Sequence, residues 1–200
     1  MVKLILASNS PRRKKIITDM GMEFEIIPSN YDEKIESDDF SYDKIEDIAT
    51  QKCLDVVRRI RNKDYPKLKE EGALVFSADT VVVLHNKILG KPHTKENAYK
   101  MLKELSGETH MVVTSCCGIN TRTNRAVTLS TTSYVRFTKW TDNMINDYID
   151  KYSPLDKAGS YGIQELPEGY LDKYEGSFEN IVGLSPDSVN AVLNQLGYFN

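Results

Sequence analysis

The sequence predicts an α/β fold, and three observations carry that expectation. Apolar runs of strand length alternate along the chain with segments whose apolar residues recur at helical spacing. Ser10, Thr94 and Ser185 stand where such helical segments begin, as capping residues should. Ala73 to Leu84 is almost wholly apolar, as a strand covered on both faces would be.

Taken in order, Leu4 to Ala7 reads as a short buried strand. Ser8-Asn9-Ser10-Pro11 then leads into a helix that carries Ile16, Ile17 and Met20 and stops at Gly21. Phe24 to Ile27 reads as a second strand and Pro28 to Phe40 as polar loop. Tyr42 to Arg61 places Ile45, Ile48, Ala49, Val56 and Ile60 on one helical face. Asn62 to Gly72 reads as a charged linker, and the strand at 73–84 follows. A hairpin-like His85-Asn86-Lys87 comes before a helix from Thr94 with Ala98, Met101, Leu102 and Leu105. Met111 to Ile119 and Arg125 to Phe137 read as a long hairpin. Thr141 to Lys151 is a further helix and Lys157 to Gly162 a Gly-rich loop. The last helix opens at Ser185-Pro186 and ends at Gly197. No internal repeat interrupts this order, so residues 1–200 are expected to form a single domain.

Composition narrows the function. Apolar residues at 40% and charged ones at 28% suit a globular chain, and no stretch approaches a membrane span. The opening residues are too short an apolar run for a signal peptide, which points to a cytoplasmic protein without a membrane partner. Three cysteines, Cys53, Cys116 and Cys117, make an odd count that fits a reducing compartment, and they read as small buried hydrophobes. A net charge of −3 gives no global attraction for nucleic acid, so any anion site must be local.

Residues that violate their local pattern are the informative ones. Asp79 interrupts the apolar run at 73–84; it either begins a turn there or serves as a general base or metal ligand. Lys52 falls on the apolar face of its own helix, where it either snorkels along the core edge or reaches into a cleft to hold an anion. Arg12 and Arg13 occupy a helix first turn that favours negative charge, so two solvated side chains or a bound phosphate would account for them. Gly90-Lys91-Pro92 is not a Walker A loop and is weak alone. With Asp32 and Glu33, these residues make up the inventory of a metal-bridged polyphosphate site. His85, His93 and His110 share no metal-ligand spacing.

In combination the segments resemble the Maf family of nucleotide pyrophosphatases, also called septum-formation or house-cleaning proteins. The resemblance is carried by Leu6-Ala7-Ser8-Asn9-Ser10-Pro11-Arg12-Arg13, Asp32-Glu33, Lys52, Ser77-Ala78-Asp79-Thr80, Gly90-Lys91-Pro92, Pro154-Leu155-Asp156-Lys157-Ala158-Gly159-Ser160-Tyr161-Gly162-Ile163-Gln164 and Asn180-Ile181-Val182-Gly183-Leu184. It implies an elongated mixed sheet flanked by helices, with two lobes around a central cleft, and a possible homodimer. It further implies hydrolysis of a nucleoside triphosphate to monophosphate and pyrophosphate with Mg²⁺ or Mn²⁺. Asp79 matches the family's proton acceptor. Ser8, Arg13, Lys52 and Lys91 match its phosphate-site residues, and Glu33, with Asp79, its metal site.

Arg12, Thr80 and Gln164 fall where family branches differ, and the combination is similar to the branch acting on dTTP and UTP. The branch preferring 7-methyl-GTP usually carries Trp and Glu in place of Arg12 and Gln164. A neutral amide at Gln164 offers a donor and an acceptor, which suits uracil or thymine. Two competing readings are the same fold acting on modified purine triphosphates, and a nucleotide-binding regulator of cell division without catalysis.

Overall fold

The computed structural model describes residues 2–32, 38–62 and 64–199. β1, Lys3–Leu6, and β2, Glu25–Ile26, are joined through helix α1, Pro11–Asp19. Ser10 caps α1 by accepting the Arg13 N–H, and Pro11 sits in the first turn, where an N–H has no intrahelical partner to lose. Helices α2, Tyr42–Arg61, and α3, Pro66–Glu71, lead to β3, Ala73–Leu84. β4, Lys87–Leu89, then folds back on the end of β3. His85 and Asn86 make that turn with φ of 48° and 65°, the left-handed pair that a two-residue hairpin matched to strand twist requires.

Helix α4, Lys95–Leu105, the hairpin of β5, Thr109–Asn120, with β6, Ala126–Phe137, and helix α5, Asp142–Tyr152, come next. Two 3-10 turns, Ala158–Ser160 and Ile163–Glu165, precede β7, Leu171–Glu175, then α6, Phe178–Val182, and α7, Pro186–Gln195.

The strands build one seven-stranded mixed sheet in the order β2-β1-β3-β5-β6-β7, with β4 beside β3. β1 lies parallel to both its neighbours, and the other pairings are antiparallel. Alternation along β3 sorts its side chains between helix layers. Leu74, Phe76 and Ala78 pack with residues of α1 and α7, whereas Val82 and Leu84, farther along the same face, pack under α4 and α5. On the opposite face Ala73 and Val75 meet α2, and Val81 and Val83 meet Ile45 at its start. The two helix groups on the first face are the two lobes, and Thr80 stands at the gap between them.

The second feature that places the site is an interruption in the sheet. β1 pairs with β3 only as far as Phe76, and β4 takes up pairing only at Val82. Among the described residues, Ser77 to Val81 therefore has a partner strand on the β5 side alone. Both faces of β3 are reachable through that open edge.

Three differences from the sequence reading have simple causes. The stretch at 62–72 contains α3, which Pro66 starts and buried Leu68 anchors. The second strand shrinks to Glu25–Ile26 because β1 offers it only two paired positions. β7 escapes notice because four of its five residues are exposed and charged or aromatic, as at a sheet edge, and α6 is too short to show a helical period. No helix of the described residues is long and apolar enough to cross a membrane.

Candidate active site

Asp79 lies within continuous strand, opposite Ser115 on β5, so it does not begin a turn. Helix α2 runs over the same face of β3: the Cys53 thiol reaches the Val75 carbonyl at 3.3 Å, and the Ser77 hydroxyl donates to the Ala49 carbonyl. That register brings Lys52 to the next inward position of the strand. Its ammonium meets the Asp79 carboxylate at 2.6 Å, with only 7% of each residue exposed. Two charges at that depth are tolerated because each offsets the desolvation of the other. Lys52 is thus turned into the protein and does not snorkel.

Arg13 is held from three sides. Its Nε donates to the Gly183 carbonyl at 3.0 Å, Nη2 to the Thr80 hydroxyl at 3.0 Å, and Nη1 to Ser8 Oγ at 3.5 Å. Thr80 Oγ1 also lies 3.0 Å from Thr114 Oγ1 and 3.2 Å from the Gly183 carbonyl, tying β3 to β5 and to the end of α6. These bonds fix the guanidinium over the start of α1, where the helix dipole and Arg13 both favour an anion. Ser8 accepts the Ser10 N–H at 3.2 Å and is buried beneath the same turn.

The opposite wall comes from the loops after β4 and α5. Gly90 accepts the Gly159 N–H at 3.1 Å, joining the Lys91 segment to the Gly-rich loop. Gly159 adopts φ +63°, and a Cβ there would stand 2.8 Å from Val82, so only glycine lets this loop lie against β3. Arg12 leans across towards Asp156 at 3.9 Å.

Ser8, Arg12, Arg13, Lys52, Asp79, Thr80, Lys91 and Gln164 all line one cleft of about 1160 Å³ at the open edge of β3. Glu33 lies outside the described residues; its neighbour Asp32 lines the cleft. Seven lysines and arginines against five carboxylates make the described wall cationic, in a chain whose net charge is −3. A local anion site is what that inversion supports.

Residues 3–196 match the family described as Maf-like protein. The chain belongs to the Maf family. The dTTP/UTP pyrophosphatase of Acetivibrio thermocellus is 39% identical to it over 197 residues, which cover 98% of this chain and 96% of the relative. Proteins of the same name from Caldicellulosiruptor saccharolyticus and Bdellovibrio bacteriovorus are 37% and 35% identical, over 99% and 96% of this chain and 96% and 97% of their own.

Sequence reasoning assigned no role of its own to Lys157, which also lines the Maf cleft. Lys157 is only 8% exposed, and its ammonium lies 3.2 Å from Glu165 and 3.6 Å from Asp156. A lysine at the start of a glycine-rich loop breaks no local rule, because loops ordinarily expose lysines. Its burial comes from the chain folding over it: the Gly162 N–H donates to the Tyr148 hydroxyl at 3.1 Å, and the Tyr161 hydroxyl meets His110 Nε2 at 2.7 Å. Burial also pushes the His110 imidazole down to about 3, so this clamp is neutral.

Proposed function

We propose that this Maf protein hydrolyses dTTP and UTP to the nucleoside monophosphate and pyrophosphate. The observation that carries the reading is the Lys52–Asp79 pair at the open edge of β3, facing a cleft lined by Arg13 and Lys91. Full-length likeness to relatives named dTTP/UTP pyrophosphatase supports the choice of substrate.

Asp79 supplies the base. It takes a proton from a water whose oxygen bonds to the α-phosphorus while the α–β anhydride P–O bond breaks. Arg13, Lys52 and Lys91 neutralise the charge that grows on the departing pyrophosphate, and Ser8 with the start of α1 holds a phosphate oxygen. Because Arg13 is tied to Thr80, Gly183 and Ser8 before substrate arrives, little reorganisation is needed at the moment of reaction. Thr80 acts through that arginine. Gln164 and Arg12 face the base end of the substrate.

The residues fit a magnesium-type ion. Among the described residues no cluster of three or more His, Cys, Asp or Glu side chains forms a self-sufficient metal site. Mg²⁺ does not need one, since one or two carboxylates plus substrate phosphates commonly hold it. Asp79 would be one such carboxylate and Glu33 the second. The ion would supply charge neutralisation across the phosphates.

The test is pyrophosphate release from a panel of pyrimidine, purine and modified purine triphosphates, with Mg²⁺ and with excess chelator. Wild type should favour dTTP and UTP, fall silent with chelator, and lose activity by at least about a thousandfold in Asp79→Asn, which keeps the side-chain shape but not the base. Near-normal release by a folded Asp79→Asn protein refutes the role of Asp79. A preference for 7-methyl-GTP refutes the substrate, and silence on every triphosphate refutes the enzyme.

A further inference from the structure

The side chains of Gln164 and Glu165 both lie beside the backbone of Gly162. A Cβ at Gly162 would stand 3.0 Å from Gln164 Nε2, 3.1 Å from Glu165 Oε2 and 3.3 Å from Gln164 Oε1, so the bare glycine backbone is what lets the amide and the carboxylate lie there together. Glu165 Oε2 is buried and ion-paired with the Lys157 ammonium at 3.2 Å, with no well-aligned hydrogen bond from any other group among the described residues. A carboxylate oxygen has two lone-pair sites, so one is left for a second donor beside the ammonium.

The two ends of a glutamine amide are nearly isosteric, so its surroundings decide which way it faces. Turning Nε2 towards Glu165 satisfies the carboxylate; turning Oε1 towards it sets two acceptors against each other. The amide nitrogen has a second hydrogen, so the edge it shares with Oε1 is still available to the cleft. We infer that Glu165, anchored by Lys157, is a positioning residue that fixes the orientation of the Gln164 amide and so biases the site towards uracil and thymine over cytosine. The inference rests on the proposed reading of Gln164 as the residue that meets the base.

The chemistry follows from the ring edges. At the C4–N3 edge, uracil and thymine present N3–H as a donor beside the C4 carbonyl, whereas cytosine presents N3 as an acceptor beside the C4 amino donor. With the ribose and phosphates holding the ring so that the amide meets this C4–N3 edge, one amide can pair with either, but only in opposite orientations. Whatever holds the amide one way therefore selects between the two pyrimidine classes.

The experiment measures kcat/KM for UTP and CTP in the full-length protein with Mg²⁺ and reads their ratio within each preparation, which cancels the fraction of folded enzyme. Glu165→Gln accommodates either orientation, and Lys157→Met leaves the carboxylate unanchored. Both should lower the UTP-to-CTP ratio by roughly tenfold, on the scale of one hydrogen bond to a charged group. Gly162→Ala, whose φ of −121° any residue adopts, should lower it as well by pushing on the amide. In a Gln164→Ala background the Glu165→Gln change should no longer move the ratio. If Gln164→Ala lowers the ratio and Glu165→Gln or Lys157→Met does not, the positioning role is overturned while Gln164 keeps its place at the base. A ratio untouched by Gln164→Ala overturns both. Absence of pyrophosphate release from UTP in wild type instead sinks the proposed activity, and this inference with it.

Discussion

Replacing Lys52 by Met tests how isolated the charge at Asp79 is. The pair is 2.6 Å apart, and its side chains are 9% and 11% exposed. Methionine keeps most of the length and apolar stem but leaves the carboxylate buried without its cation. Loss of one partner of such a pair costs about 3–5 kcal/mol. For a chain of this size, at about 2–4 °C per kcal/mol, the melting temperature should fall by roughly 6–20 °C.

Asp79→Asn alone should also destabilise, because it removes the carboxylate charge 2.6 Å from the buried ammonium. The double variant, with neither charge, should recover most of the loss, giving a coupling energy of at least about 1.5 kcal/mol in a double-mutant cycle. Denaturant titrations without nucleotide or divalent metal are the appropriate assay, since a ligand at Asp79 would conceal the effect. Single variants that each lose less than about 1 kcal/mol, with additive effects, would refute the argument that the pair is electrostatically isolated from water.

Two further predictions concern the walls of the cleft. Burial pushes His110 down to about 3, so between pH 6.5 and 3 the unfolded chain binds a proton that the folded chain excludes. Stability from this group should therefore fall as pH drops through that window and level off below it, by at most roughly 5 kcal/mol at about 1.4 kcal/mol per pH unit. Urea titrations at pH 7.5 and 4.5 should show a smaller loss in His110→Phe than in wild type by about 2–3 kcal/mol, and equal losses would contradict the assignment. Gly159→Ala forces a side chain into φ +63° and against Val82, so it should cost roughly 2–4 kcal/mol and loosen the Lys91 segment through the Gly90 carbonyl. A thermal melt superimposable on wild type would show that the loop does not depend on that close approach.

Much of the site was legible because each of its central residues is a local anomaly. Asp79 interrupts an apolar strand, Lys52 stands on an apolar helix face, and Arg12 and Arg13 sit at the wrong end of a helix dipole. Lys157 and Gly162 stand within the family-like segment at 154–164 but, like Glu165, break no local pattern: charged and glycine residues are ordinary in loops, and their individual roles appear only when the loop is folded over them. β7 and α6 were silent because an exposed edge strand and a single-turn helix leave no periodic trace.

By itself the sequence determined the α/β character, most of the long elements, and the list of side chains that could bind a polyphosphate, because patterning and desolvation act at the level of single residues and their near neighbours. Tertiary structure alone decided that these side chains meet. The gap between β1 and β4 along β3 opens both faces of one strand to the same cleft, and the register of α2 on that strand sets Lys52 against Asp79. Both depend on where strand pairing stops and how a helix sits on a sheet, and those are properties of residues far apart in the chain.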